Sequence, residues 1–371
     1  MAGYIMTLDS EDSLIECIST GTYSTNLSEP SGSWKAHHEG TFADYFSMKQ
    51  GDSIYFFIKR KIYGIGAITN VKWDCKFLNY INGDIPQGVS EEEYYKSNPL
   101  LSYGKSNNRC FCTFAPSPYF FELGVDMDDA LSSNPDKFKM LRAMWKVSFI
   151  KIDDEENKAL QDIILKRNEE NLYTGNLTYS FDNSLHLEIE SHLTDQYRLS
   201  PYNLLAYAAS GNLIKHEMAI EAALCDILGK ENDTPFGKWD YVSHQVIASP
   251  FKAIDYMDKM DIFGYRYISG YRTISKYLVI EIKKNEAQVD AITQIMKYVD
   301  WINQEYTFGD YSMIEAYIVA ADFPQEVIEK KNNDCIRNFT KGYRPTIPCK
   351  WNFIKLIRYE YRDGKLNFFE A

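Results

Sequence analysis

The 371-residue sequence has no run of ~18 apolar residues, so no membrane-spanning helix is expected. Its first residues, MAGYIMTLDSEDSL, lack the basic and apolar segments of a secretory signal. Cysteine is sparse: the seven residues are odd in number and scattered, and no CxxC pair occurs. That argues against a disulfide framework and a zinc site, and points to a reducing, cytoplasmic setting. Cys110 and Cys112 read as buried thiols on a strand rather than ligands. Positive charge is also short, with 40 Lys and Arg against 52 Asp and Glu, a net of −12. Indiscriminate nucleic-acid binding, which depends on neutralising phosphates, is therefore disfavoured. No internal repeat is visible.

What is present is enough apolar material for packed cores, 45% of residues. The length is more than one core usually organises, so two domains are expected. Residues 1–165 read as a β-rich domain. It has strands over 53–58 and 63–71 joined by the turn Lys59-Arg60-Lys61, and a helix in EENKALQDIILKRNEEN closes it. Residues 166–205 are polar and without a clear period, and read as a linker or small hairpin. Residues 206–371 alternate helical and strand patterns. Their order, helix, three strands, helix, strand, helix and strands, predicts an α/β layout with a mixed sheet flanked by helices. Residues 331–371 carry nine Lys and Arg against four acids, a local surplus that would suit a phosphate-facing surface or a solvated face.

The most informative run is YLVIEIKKNEAQVDAITQIMKYVDWI, which predicts a buried strand over 277–282 and a helix over 286–305. Strand alternation puts Glu281 and Lys283 on one face and Ile280 and Ile282 on the other. Opposite charges closing an apolar strand are costly to desolvate unless they have partners or work. Asp261, in KMDIFGY, opens a neighbouring strand. An Asp and a Glu on adjacent strands, with a Lys one pleat further, suit a hard cation and a water beside a phosphate. Mg²⁺ or Mn²⁺ would take Asp261, Glu281 and the Ile282 carbonyl, and Lys283 would orient or help deprotonate the attacking water. A third acid is expected from the preceding helix, where Glu217 and Glu221 are four apart. Glu221, nearer the apolar stripe, is preferred. Gln294 and Tyr298 share a face of the next helix and would contact phosphate or fix Lys283. The competing readings are a strand-end salt bridge and a core tyrosine.

Residues from about 214 to 325 resemble the PD-(D/E)xK nuclease superfamily. The likeness rests on HEMAIEAALCDIL, MDIFGY, YLVIEIKKNEA, ITQIMKYVDWI and AYIVAADF. It is strongest to NucS/EndoMS-type enzymes and the nuclease domain of the Shedu anti-phage proteins. The resemblance implies a restriction-endonuclease-like fold, metal on Asp261 and Glu281, catalytic roles for Lys283, Gln294 and Tyr298, DNA as substrate, a homo-oligomer and a phage component as trigger. The segment GYRYISGYRTISKY reads as an insertion projecting a loop toward DNA.

The first half, through GSWKAHHEGTFADYFSMKQGDSIYFFIKRKIYGIGAI, resembles PUA-like modules of the EVE type. This implies an α+β sensing domain with Trp34, Tyr55 and Trp73 as walls of a modified-base pocket, the competing reading being ordinary core aromatics. The resulting expectation is a metal-dependent, anti-phage DNA endonuclease gated by its N-terminal domain. The alternatives are a modified-base-dependent restriction enzyme and a non-catalytic nucleic-acid or protein-binding module.

Overall fold

A computed structural model describes residues 1–25, 43–78, 110–141, 149–193, 197, 199–230, 233–248, 258–342 and 344–371. They form two compact units, Met1–Ser200 and Pro201–Ala371. Both combine helices with mixed sheets, an α/β architecture in the broad sense.

The first unit runs β1 (Gly3–Thr7), α1 (Glu11–Thr20), β2 (Thr22–Thr25), β3 (Ser53–Ile58), β4 (Lys61–Ile68), β5 (Lys76–Leu78), β6 (Cys110–Pro116), β7 (Val125–Asp126), α2 (Met127–Ser133), β8 (Phe149–Ile152), α3 (Asp154–Arg167), α4 (Glu169–Thr174) and α5 (Ser184–His192). Its sheet has the order β2-β6-β4-β3-β1-β8, with β5 added on β6 and β7 on β4. The β1–β3 pair is parallel and the remaining pairs are antiparallel. In the β3–β4 turn, Lys59 and Arg60 both take the left-handed conformation, φ 47° and 67°. Two consecutive residues of that kind match the right-handed strand twist, although neither is the usual Asn or Gly. Helix α3 is capped by Asp153, which accepts from the Glu155 and Glu156 amides, and ends in Lys166 and Arg167. Its apolar face, with Leu160, Ile163 and Ile164, packs into a core with Ile5, Tyr55 and Ile62.

The division between units falls after Ser200, so the stretch expected to be a 166–205 linker belongs largely to the first unit and is helical in α4 and α5. The sequence hides these helices because they are short, exposed and weakly amphipathic.

The second unit runs α6 (Pro201–Ala208), β9 (Ala209–Ser210), β10 (Leu213–Ile214), α7 (Glu217–Lys230), β11 (Tyr241–Ile247), β12 (Lys259–Tyr267), β13 (Ile274–Ile282), α8 (Val289–Glu305), a 3₁₀ turn, β14 (Ile314–Ala320), α9 (Gln325–Asp334), β15 (Arg337–Lys341), β16 (Ile347–Trp351), β17 (Ile354–Arg362) and β18 (Lys365–Glu370). The six-stranded sheet has the order β11-β12-β13-β14-β17-β18. Its centre, β13-β14-β17, is parallel and its flanks are antiparallel. The last six residues of β13 and all of β14 are buried, as expected of central strands covered on both faces. On α8, Ala291, Ile292, Ile295, Met296, Tyr298, Val299 and Ile302 repeat at helical spacing and form its buried stripe. The β15–β16 hairpin is absent from the sequence expectation. Its strands are short and largely exposed, so no apolar alternation announces it.

Among the described residues, no helix is long and apolar enough to cross a membrane. Cys112 is buried on β6, as expected. Much of the C-terminal basic surplus is tied up locally in the ion pairs Arg337–Asp300, Lys341–Asp310, Lys355–Glu370 and Arg358–Asp322.

Candidate active site

The β12–β13 register pairs Ile262 with Ile280. One residue further, Asp261 lies alongside Glu281 on the same sheet face. Lys283 follows one pleat on, and its amide donates to the Val319 carbonyl of β14 at 2.8 Å. Three of the residues singled out from the sequence thus meet at one end of the central strands.

Glu281 is fully buried, 0% exposed. Its Oε1 accepts from the Lys283 Nζ at 2.7 Å. Its Oε2 is buried with no hydrogen-bond partner. Asp261 Oδ2 accepts from the Ile282 amide at 2.7 Å, and Oδ1 accepts from the Gln245 Nε2 at 3.4 Å. Ile282, expected to offer its carbonyl to a metal, is thus tied to Asp261 through its N–H.

Burial raises the Asp261 carboxyl above its ordinary range, against the lowering effects of the Ile282 amide and the Lys283 ammonium. Glu281 is raised by burial first and by the Asp261 charge second, with Lys283 opposing. For Lys283, burial favours the neutral amine, but the attraction of Glu281 outweighs it and raises the pKa, so the ammonium persists. A fully buried carboxylate with an orphaned oxygen, beside a half-buried one, makes an electrostatically unfinished site.

Gln294 Nε2 donates to the Tyr298 hydroxyl oxygen at 2.8 Å across one turn of α8. Burial and the Glu281 charge raise the Tyr298 phenol, so α8 brings this pair toward the acids. The two helical acids sit differently with respect to this cluster. Glu217, at the start of α7, accepts from the Lys284 amide at 3.1 Å, and its charge acts on Asp261, Glu281 and Lys283. Glu221 is buried one turn further, with an oxygen 4.0 Å from His244 Nε2 on β11. Helix α7 is buried on nearly every side, so no apolar stripe distinguishes the two acids. Beside Glu217, the pKa of His216 is lowered, by burial first and by Lys284 and Lys215 next.

The segment GYRYISGYRTISKY does not reach this end of the sheet. Most of it is strand, and Tyr267 pairs with Ile274, so the turn between them closes the β12–β13 hairpin at the end remote from Asp261 and Glu281. An open cavity of about 650 Å³ involving Phe308, Asp310, Phe339 and Lys341 contains none of the candidate site residues.

Of the proposed pocket aromatics, the two described residues differ in exposure. Tyr55 is fully buried on β3, its hydroxyl donating to Asn157 Oδ1 at 2.7 Å, so it is a core residue with no free face. Trp73 is 58% exposed. Trp34 lies outside the described residues.

Among the described residues, no three His, Cys, Asp or Glu side chains gather as a metal cage. The donors that fit a metal are Asp261 and Glu281. Two carboxylates are what Mg²⁺ usually takes from protein, with water and phosphate supplying the rest.

No family model and no curated protein matches this sequence. Among solved structures, a repair endonuclease from Pyrococcus abyssi is similar at 18% identity and a TM-score of 0.22, over 34% of this chain and 46% of that one. The chain therefore spans less than half of that enzyme. Human THYN1, solved in complex with 5-methylcytosine-containing DNA, is similar at 13% identity and a TM-score of 0.26, over 46% of this chain and 98% of that one. At such scores neither likeness establishes a fold or an activity.

Proposed function

We propose that the second unit is a metal-dependent DNA endonuclease acting through Asp261, Glu281 and Lys283. The observation that carries this reading is the buried Glu281 oxygen without a partner, beside a second, half-buried carboxylate and a persistent ammonium. A structural ion pair would leave neither an orphaned oxygen nor a like charge next to it. A bound Mg²⁺ or Mn²⁺ would neutralise charge on the phosphoryl oxygens. Lys283, anchored by Glu281 and 28% exposed, would orient a water and, as an ammonium, donate a proton. Gln294 and Tyr298 are placed to steady the phosphate side of the site through the Tyr298 phenol. Gating by the first unit, a phage component as trigger and homo-oligomer formation follow only from the family resemblance and belong to this proposal.

The full chain is incubated with supercoiled plasmid in Mg²⁺, Mn²⁺ or EDTA, alongside Lys283→Ala. Nicking or cleavage is expected with metal only, falling at least ~100-fold in the variant, in line with the loss of a general acid or base. Full activity in Lys283→Ala, or cleavage in EDTA, refutes the assignment.

A second reading, a nuclease-like module that binds DNA without cutting it, is favoured by the lack of a three-donor metal cluster among the described residues. Calorimetry showing retained DNA and no Mn²⁺ binding would select it.

A further inference from the structure

Opposite Asp261 the β11–β12 ladder is interrupted. His244 pairs with Ile262 and Val246 with Met260, so the register is the same on both sides and no residue is inserted. Only the intervening pair, Gln245 with Asp261, is missing. Gln245 takes the left-handed conformation there, φ 51°. A non-glycine residue in that region within a strand is strained, and it persists only where its surroundings impose it. The departure brings its amide nitrogen to Asp261 Oδ1 at 3.4 Å, while the Ile282 amide holds Oδ2 at 2.7 Å. One carboxylate is thereby gripped from both flanking strands, one donor to each oxygen.

From this geometry we infer that Gln245 is a positioning residue: it fixes the rotation of the Asp261 carboxylate for a divalent cation. The inference rests on the endonuclease reading above. A glutamine suits the task because it donates without charge. A lysine or arginine at this place would compete with the cation, and a glutamate would repel Asp261. Each Asp261 oxygen accepts one donor and retains a lone pair. The strained backbone is the cost of presenting an amide where a regular strand would place only a ladder pair. Residues that orient a ligand in this way typically change metal affinity 10- to 100-fold when removed, roughly what is expected here.

The test measures Mn²⁺ affinity of the full chain by calorimetry, and thermal unfolding in EDTA, for Gln245→Ala and Gln245→Gly. Both variants lose the amide, and both are expected to bind Mn²⁺ roughly tenfold more weakly. Glycine adopts the left-handed conformation without strain, so Gln245→Gly in EDTA is expected to melt no lower than the natural protein. A purely structural Gln245 gives the opposite pattern: a lower melting temperature in Gln245→Gly and unchanged Mn²⁺ affinity in both variants, which overturns the proposal. If the natural protein itself binds no Mn²⁺, the endonuclease reading falls and this inference with it. If it binds and the variants bind equally well, only the role of Gln245 is lost.

Discussion

Glu281→Gln should stabilise the metal-free protein while abolishing its response to metal. Above the raised Glu281 range, where the carboxylate is ionised, the substitution keeps the side-chain shape and removes one buried charge. Relief of desolvation and of repulsion from Asp261 is worth on the order of 2–4 kcal/mol for a buried charge with incomplete compensation. The ion pair with Lys283 is lost, but that ammonium is 28% exposed and can turn to water, which subtracts about 1 kcal/mol. The net gain is on the order of 1–3 kcal/mol. At about 2–4 °C per kcal/mol for a body of this size, the melting temperature in EDTA rises by roughly 2–12 °C.

Metal reverses the ranking. At a Mn²⁺ concentration 100-fold above its dissociation constant, the natural protein gains about 2.7 kcal/mol, and the variant, lacking one of two carboxylates, gains little. Scanning calorimetry of both proteins in EDTA and in Mn²⁺ gives all four values. The reasoning fails if Glu281→Gln melts lower than the natural protein in EDTA, as a lesion in an ordinary buried polar network would. It fails equally if Mn²⁺ stabilises both proteins to the same extent.

Three further outcomes are expected. Asp261 and Glu281 have folded pKa values above their unfolded ones, so the fold holds extra protons in acid; metal-free stability is fully present below the ordinary carboxylate range and is lost as pH rises through the raised values, whereas Mn²⁺ affinity increases over the same interval, both followed by melting at stepped pH. Glu156, buried in the first unit and raised by burial to about 8, accepts from the Leu141 amide at 2.7 Å; replacing it with Gln should flatten the loss of stability toward alkaline pH, measured by denaturant unfolding. Tyr55→Phe should cost about 1–2 kcal/mol by stranding Asn157 Oδ1, with DNA retention in a mobility-shift assay unchanged; a selective loss of modified DNA would restore the base-pocket reading.

The legible part of the site was the part governed by the period of a strand. Alternation alone places Glu281 and Lys283 on one face, and a buried β13 beside β12 puts Asp261 next to them. The helix bearing Gln294 and Tyr298 was equally plain, since its apolar stripe repeats cleanly. The two-unit organisation was legible in outline, but its division was not: α4 and α5 are short, mostly exposed, and leave no periodic signal. The aromatic pocket failed for a related reason. Composition counts tyrosines and tryptophans but cannot tell a sealed Tyr55 from an exposed Trp73.

The remaining omissions share a cause that reaches into the chemistry. Periodicity reports which face of an element is buried, and it is silent where every face is buried or where one residue leaves the regular backbone. Helix α7 is of the first kind, so its sequence offers no reason to prefer Glu217 over Glu221. Only the fold distinguishes them, bringing the Lys284 amide to Glu217 just past the end of β13. Gln245 is of the second kind, for a single left-handed residue in YVSHQVI has no glycine or asparagine to announce it. Two residues that act on Asp261, Glu217 and Gln245, are therefore ones that local rules describe worst. That is expected where a sequence departs from its own regularities to aim a functional group. If Gln245→Gly keeps its melting temperature and loses Mn²⁺ affinity, the broken ladder marks such a departure rather than an accident of the strand edge.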